Sequence, residues 1–416
     1  MRAVVVALGK IGLPLAAHIA RAGHEVVGCD IDPAVVDAVN AGEPPFPGEA
    51  GLAEALQETV GAGRLRASTR TTDAVAAGPD LVVAVPPLAV DRRARPVWRA
   101  LDAAIRAIGD GLQPGTTVSV ETTVPLHTTR SRLAPLLEQA SGLIAERHFH
   151  LVFSPERVYS GRVFRDLATY PKLVGGLSAA GEARAVELYR AFLDAEVWSM
   201  GSAEAAELAK LAETTYRDVN IAFANELARI ADDHGLDVAR TIEGANSQPF
   251  SHIHQPGVAV GGHCIPVYPR FLLAGAPDAR LPRVAREINE AMPGYVVDLL
   301  GEVAGRRVLV LGVTYRGGVK ETAFSGALAL RDELQARGAT EVLGHDPLLS
   351  DAELEALDFL PWHGEPVDAA IVQADHREYA DLGPEDLPAQ AIVDGRGVLD
   401  AGRFAGRVKR LGRPSH

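Results

Sequence analysis

Val4-Val5-Val6-Ala7-Leu8-Gly9-Lys10-Ile11-Gly12 decides the fold. Three consecutive valines open it, as in a strand buried on both faces of a parallel sheet. Gly9 and Gly12 then give a tight turn and a helix start. The helix runs through Leu15, Ile19 and Ala20 to Gly23, and a second strand, Glu25 to Cys29, ends in Asp30. Strand, glycine turn, helix, strand and an acidic residue about twenty positions on form the layout of a dinucleotide-binding unit. A pyrophosphate would lie over the helix N-terminus, against Leu8, Gly9, Lys10, Ile11 and Gly12. Asp30 would accept from the adenosine ribose hydroxyls and repel a 2′-phosphate, so NAD is expected over NADP. Ala7 replaces the first glycine of the G-x-G-x-x-G pattern. It is harmless with a negative φ and strained with a positive one.

Further strand and helix units follow. Leu81 to Val85 is a strand ending at Pro86-Pro87, and Thr117 to Val120 is another, followed by Glu121-Thr122-Thr123-Val124-Pro125. Loops at such strand ends face ligands, which makes Val85, Pro86 and Thr123 cofactor-side candidates. A hydroxyl capping the next helix is the competing reading of Thr123. His150 to Phe153 leads into Ser154-Pro155-Glu156-Arg157, and Lys172 to Gly176 reads as the last strand of the first domain. Cys29 reads as a small buried residue. Ala203 to His234 has no Gly or Pro and carries apolar residues at helical spacing, so one long helix is expected. Another helix runs through Val284 to Leu300. Strands at Arg307–Gly312, Glu341–Pro347, Ala369–Val372 and Ala391–Asp394 then build a second parallel sheet without a second glycine fingerprint. The expected class is α/β: two Rossmann-like, doubly wound parallel-sheet domains joined by a long central helix. The expected divisions are 1–200, 201–300 and 301–416, with Arg403 to His416 a frayed basic tail.

The 416 residues are 47% apolar, ample for two or three cores, and carry a net charge of −13. That charge argues against nucleic-acid binding. Two distant cysteines make no disulfide scaffold. No apolar run approaches the roughly 20 residues of a membrane span. The chain opens straight into a strand without a signal-peptide pattern, so a cytoplasmic location is expected.

Gly261-Gly262-His263-Cys264-Ile265-Pro266 presents a thiol behind two glycines and ahead of a proline. Cys264 is either a nucleophile for a carbonyl carbon or a small buried hydrophobe, and the spacing leaves both open. "PGVAVGGHCIPVYP" (256–269), Ser154-Pro155-Glu156-Arg157, "AELAKLAETTYRDVNIAFANELARIA" (206–231) and "AREINEAMPGYVV" (285–297) occur in order. Together they resemble the nucleotide-sugar 6-dehydrogenases, which act on UDP-glucose, UDP-N-acetylglucosamine or UDP-N-acetylmannosamine. His263 before the cysteine resembles the N-acetylhexosamine branch.

The resemblance implies oxidation of a UDP-sugar C6 alcohol to a carboxylate in two hydride transfers to NAD, with no metal. It implies Cys264 as nucleophile, Lys210 beside the oxyanion and favouring the thiolate, and Glu156 as the base acting on water. Thr123 would help hold that water. Thr214, one turn after Lys210, stands where the family has Asn. A lone helical lysine such as Lys210 would otherwise be a solvated charge. Implied substrate contacts are Glu156, Arg157, Val158, Lys210, Thr214, Ile253, His254, Gln255, Gly257, Gly261 and Arg316, the last in place of a family lysine. The central helix would form a homodimer. Tyr268 replaces a family Asp, Phe250 and Ala323 replace arginines, and Ala259 replaces a glycine. These departures keep two alternatives open: an altered or two-electron dehydrogenase on a nucleotide sugar, and a silent nucleotide-sugar-binding homologue.

Overall fold

The computed structural model describes residues 1–91, 95–159 and 161–414. The chain divides into two compact units, Met1–Glu213 with Arg270–Ala276, and Thr214–Pro269 with Pro277–His416. The first unit holds β1 (Arg2–Val6), β2 (Glu25–Cys29), β3 (Leu65–Ser68), β4 (Leu81–Ala84), a small hairpin of β5 (Ala89–Val90) and β6 (Pro96–Val97), β7 (Thr117–Val120), β8 (His150–Phe153), β9 (Lys172–Gly176) and β10 (Val197–Ser199). Eight of these form one sheet in the order β10-β9-β8-β7-β4-β1-β2-β3. Stepping outward in both directions from β1 is the doubly wound pattern, and it puts a switch point at the ends of β1 and β4.

Two expectations change here. Lys172–Gly176 is not the last strand, because β10 pairs beyond it. The sheet is not wholly parallel either: β8 and β9 run antiparallel, with Val152 opposite Gly176. The two glycines of β9 allow close approaches there, since a Cβ on Gly175 would lie 2.0 Å from the Ser202 carbonyl oxygen. Val5, Leu15, Ile19, Val83, Val152 and Val174 belong to one core cluster.

The second unit contains β11 (Arg307–Leu311), β12 (Glu341–His345), β13 (Leu360–Pro361), β14 (Val367–Val372), β15 (Ala389–Asp394) and β16 (Val408–Arg410). Their order is β13-β12-β11-β14-β15-β16, all parallel. Alternate residues of β11 serve opposite cores: Val308 and Val310 pack with Met292 and Val296, and Leu309 and Leu311 pack with Tyr379 and Phe404. The frayed tail is corrected. Val408–Arg410 is the edge strand, Leu411 is buried, and Gly412 N donates to Asp232 Oδ2 at 3.2 Å. Ser415 and His416 lie outside the described residues. The helix Ala203–His234 is continuous over 32 residues.

Candidate active site

The glycine turn is built as a phosphate cradle. Helix α1 spans Gly12–Arg21, no side chain caps it, and its first turn has no acidic residue. No side chain competes for this N-terminus, although Leu13 N donates to Gly9 O at 3.1 Å and Pro14 has no amide proton, so an anion would meet the amides of the glycine turn before them. A Cβ on Gly12 would sit 2.0 Å from the Ala7 carbonyl oxygen, so only glycine fits there. A Cβ on Gly9 would meet nothing within 4 Å, which leaves open space in front of the loop. Asp30 ends β2, where its Oδ2 accepts from Leu8 N at 2.7 Å and its Oδ1 from Asp32 N at 3.0 Å. Each oxygen keeps a further lone pair for ribose hydroxyls. These residues fit a dinucleotide. Ala7 has φ +76°, the strained alternative raised by the sequence. Lys10 is exposed and Leu8 buried, while Val85 follows β4, its N donating to Val6 O at 2.9 Å, and Pro86 is buried.

Past β7 and β8, the first unit gathers charge. Glu156 Oε1 accepts from Arg157 N at 2.6 Å and Val158 N at 3.2 Å, and Oε2 faces Lys172 Nζ at 2.8 Å. Burial pushes the Glu156 carboxyl up, but the Lys172 ammonium, its hydrogen bond, the Arg157 amide and Lys210 outweigh it, so the group sits below its ordinary range. Arg157 Nε bonds Glu213 at 2.7 Å, and Lys210 Nζ lies 3.9 Å from the same carboxylate. Lys210 is only 6% exposed, so it is no solvated surface charge. Thr123 is also buried. Its neighbour Thr122 donates to Pro86 O at 2.5 Å, which ties the two strand ends together.

The second unit holds the thiol. Cys264 is exposed, unlike buried Cys29, whose thiol burial pushes up to about 11. Gly262 has φ +88° and its N donates to Ala323 O at 2.9 Å. A Cβ on Gly261 would lie 2.7 Å from Tyr315 Cβ and 3.0 Å from Phe324 O, so both glycines let the loop lie flat on the segment after β11. His263 Nε2 pairs with Glu321 Oε2 at 3.0 Å. The Cys264 carbonyl accepts from Tyr268 N at 2.9 Å, which starts the helix Tyr268–Gly275. Arg316 is exposed with its guanidinium over the Tyr315 ring, and Thr214 is fully buried.

The loop carrying Ile253, His254, Gln255 and Gly257 is pinned by asparagines that the sequence reading did not single out. Asn220 Oδ1 accepts from His254 N at 2.8 Å, Asn246 Oδ1 from Ile253 N at 2.8 Å, and Asn225 Oδ1 from Gly257 N at 2.9 Å. Asn225 in turn donates to Asn289, which donates to Asp218, ion-paired with Arg286 at 2.8 Å. Asn220 and Asn225 lie inside the stretch 206–231 quoted above, and their amides explain that motif locally. Burial, then Arg217, keeps His254 below its ordinary value, so it is neutral at pH 7. Lys172 and Glu121 were also missed; their only sequence signal is a charge inside an apolar strand or at its end. Among the described residues no cluster of His, Cys, Asp or Glu could hold a metal ion.

Residues 1–193, 204–291 and 309–401 match the NAD binding, central and UDP binding domains of the UDP-glucose/GDP-mannose dehydrogenase family. The chain is 35% identical over 412 residues to UDP-N-acetyl-D-mannosamine dehydrogenase of Pyrococcus horikoshii, covering 96% of each. It is 34% identical to NDP-N-acetyl-D-galactosaminuronic acid dehydrogenase of Ralstonia solanacearum, covering 96% of this chain and 97% of that one. The solved structure of the Pyrococcus horikoshii UDP-D-ManNAc dehydrogenase superposes with a TM-score of 0.89 at 32% identity, over 100% of both chains.

Proposed function

The chain belongs to the UDP-glucose/GDP-mannose dehydrogenase family, and from that premise we propose that it oxidises the C6 hydroxyl of a UDP-hexose or UDP-N-acetylhexosamine to the uronic acid. NAD is the cofactor, and the first unit carries the NAD binding domain. The observation that carries the substrate class is likeness along the whole chain to a UDP-N-acetyl-D-mannosamine dehydrogenase. The UDP binding domain match over 309–401 supports a UDP-linked sugar. The three-part division 1–200, 201–300 and 301–416 then assigns cofactor, helical middle and nucleotide to successive segments. We place the activity in the cytoplasm, where NAD and nucleotide sugars coexist; among the described residues no helix is long and apolar enough to cross a membrane.

NAD supplies the acceptor for two hydrides. The protein supplies the rest. The C6 alcohol loses a proton and a hydride to become an aldehyde. The Cys264 thiolate attacks that carbon to give a thiohemiacetal, with Lys210 beside the oxyanion. Loss of the second hydride leaves a thioester. Water directed by Glu156, with Thr123 helping to hold it, releases the acid and returns the thiol. Thr214, Arg157, Val158, Ile253, His254, Gln255, Gly257, Gly261 and Arg316 are assigned to the substrate. Exposure of Cys264, burial of Lys210 and the low exposure of the Glu156 side chain, 10%, support these roles.

The test is NADH counted per sugar consumed across a panel of nucleotide sugars, beside Cys264→Ala. Two NADH per sugar and loss of acid formation in the variant are expected. One NADH per sugar, with activity intact in Cys264→Ala, would overturn the uronate reading in favour of two-electron oxidation.

A further inference from the structure

Three adjacent strands deliver a buried charge chain in the first unit. Glu121 follows β7, Glu156 follows β8, and Lys172 opens β9. Lys172 Nζ is 2.8 Å from Glu121 Oε2 and 2.8 Å from Glu156 Oε2. Glu121 is 1% and Lys172 4% exposed. Behind Glu121, Tyr189 donates its hydroxyl to Oε1 and shares a 2.8 Å hydrogen bond with Ser119. The Tyr189 ring lies 5.3 Å from Lys172 Nζ. One ammonium thus serves two carboxylates, and it and Glu121 are almost wholly enclosed.

We propose that Lys172 is a positioning residue for Glu156, and that Glu121, acting through Lys172, sets how strong a base Glu156 is. This rests on the reading of Glu156 as the group that acts on water. The geometry divides the carboxylate's lone pairs. Oε1 is taken by the Arg157 and Val158 amides, and Oε2 by Lys172, so the orientation of what remains is fixed. The ammonium answers to both acids. When Glu121 carries a proton, Lys172 pulls on Glu156 alone and weakens it as a base. When Glu121 is ionised, that pull is divided and Glu156 strengthens.

All the charged groups around the pair enter this balance. Glu121 faces Lys172 from β9, Glu156 from the loop after β8, and the Tyr189 phenol from its helix. Glu156 faces Lys172, the Arg157 amide and, from the central helix, Lys210. Arg157 itself is tied to Glu213. Burial first, and then the neighbouring Glu156 charge, push Glu121 up to about 7 against the attraction of Lys172. Glu121 is therefore the carboxyl of the pair that changes charge near neutral pH, while Glu156 is held below its ordinary range.

The experiment measures kcat and KM against pH, from about 5.5 to 9, on the full-length chain with NAD and the best nucleotide sugar of the panel. The variants are Glu121→Gln, Lys172→Arg, Lys172→Met and Glu156→Gln. Wild type is expected to gain kcat through an ionisation near pH 7. Glu121→Gln should lose that ionisation and run about 3–10-fold slower above it, with KM little changed. Lys172→Met should lose about 10–100-fold in kcat, and Lys172→Arg should recover most of it. A melt and an NAD titration establish folding; if Lys172→Met does not fold, Glu121→Gln and Lys172→Arg still decide. A purely structural role would lower stability and leave the ionisation in place, and a Glu121→Gln profile matching wild type overturns the proposal. Glu156→Gln separates the two readings. Wild-type turnover in it removes the premise, whereas a slow Glu156→Gln beside unaffected Glu121→Gln and Lys172 variants sinks the positioning role alone.

Discussion

Ala7 and Gly312 end the first strands of their units and make the same turn. Ala7 N donates to Cys29 O at 2.8 Å, and Gly312 N to His345 O at 2.8 Å. Their φ values are +76° and +87°. The second unit meets that demand with a glycine, and the first forces an alanine into it. Left-handed backbone costs an L-residue roughly 1–2 kcal/mol, partly offset in a glycine variant by a freer unfolded chain. Ala7→Gly should therefore stabilise the protein by about 0.5–1 kcal/mol, read as a higher Tm; a lower Tm would refute the strain. The likeness extends to the second strand ends, where Asp346 Oδ2 takes Thr314 N at 2.7 Å as Asp30 takes Leu8 N. Burial alone would raise the Asp346 carboxyl. His376 beside it and the Thr314 and Leu348 amides instead bring it down to about 2. A depressed carboxylate contributes stability above its unfolded value near 3.8 and loses it as pH falls toward 2. The contribution is on the order of 2 kcal/mol. Asp346→Asn should unfold more easily at neutral pH and show less of the acid drop between pH 4 and 2, measured by denaturant unfolding; parallel acid drops in the two proteins would refute it. Site legibility divides along the same physical line. Glu156 and Cys264 stood out because they sit in short motifs of residues that set the backbone, Ser154-Pro155 ahead of one and Gly261-Gly262 and Pro266 around the other, and these motifs resemble the family's. Lys172 did not, because a lysine opening a strand reads as an exposed end until the fold shows it enclosed.

The central helix, Ala203–His234, carries Leu208, Tyr216, Phe223 and Ile230 exposed at 44, 58, 50 and 46%. Their spacing of seven or eight residues puts them along one stripe, the repeat that another helix packs against. This supports the homodimer that the family resemblance implies. Phe223→Asp places a charge on that stripe and should shift a dimer to monomer in light scattering; a wild-type monomer that persists at high concentration would remove the proposal. The long elements were readable because their patterns run for many residues: this helix and strands such as β2 and β7 fall where periodicity put them. Short edge strands were not. Val197–Ser199 has three residues, and Val408–Arg410 carries two cations that suggested a solvated tail. The reversed pairing of β9 beside β8 escapes the sequence, because the residue pattern of a short buried strand reads the same in either sense.

At the scale of the molecule, the first unit selects the cofactor and the match over 309–401 marks the nucleotide-sugar half. Asp30 should make NAD bind at least about a hundredfold more tightly than NADP, since an unscreened like charge costs several kcal/mol. Titrating both cofactors measures this, and equal affinity would remove Asp30 from the ribose site. The two units also share the chain unequally. The first is not finished at Glu213; it takes back Arg270–Ala276 after the second has begun. A Cβ on Gly275 would lie 3.0 Å from Leu126 Cβ, so this returning segment packs on the loop after β7. During synthesis the ribosome must therefore add the 63 residues from Thr214 to Ala276 (276 − 213) before the first unit has all its parts. At about 5–20 residues per second that is a wait of roughly 3–13 s. For that interval the nascent dinucleotide fold stands with the loop after β7 still uncovered, the window in which a chaperone would find it.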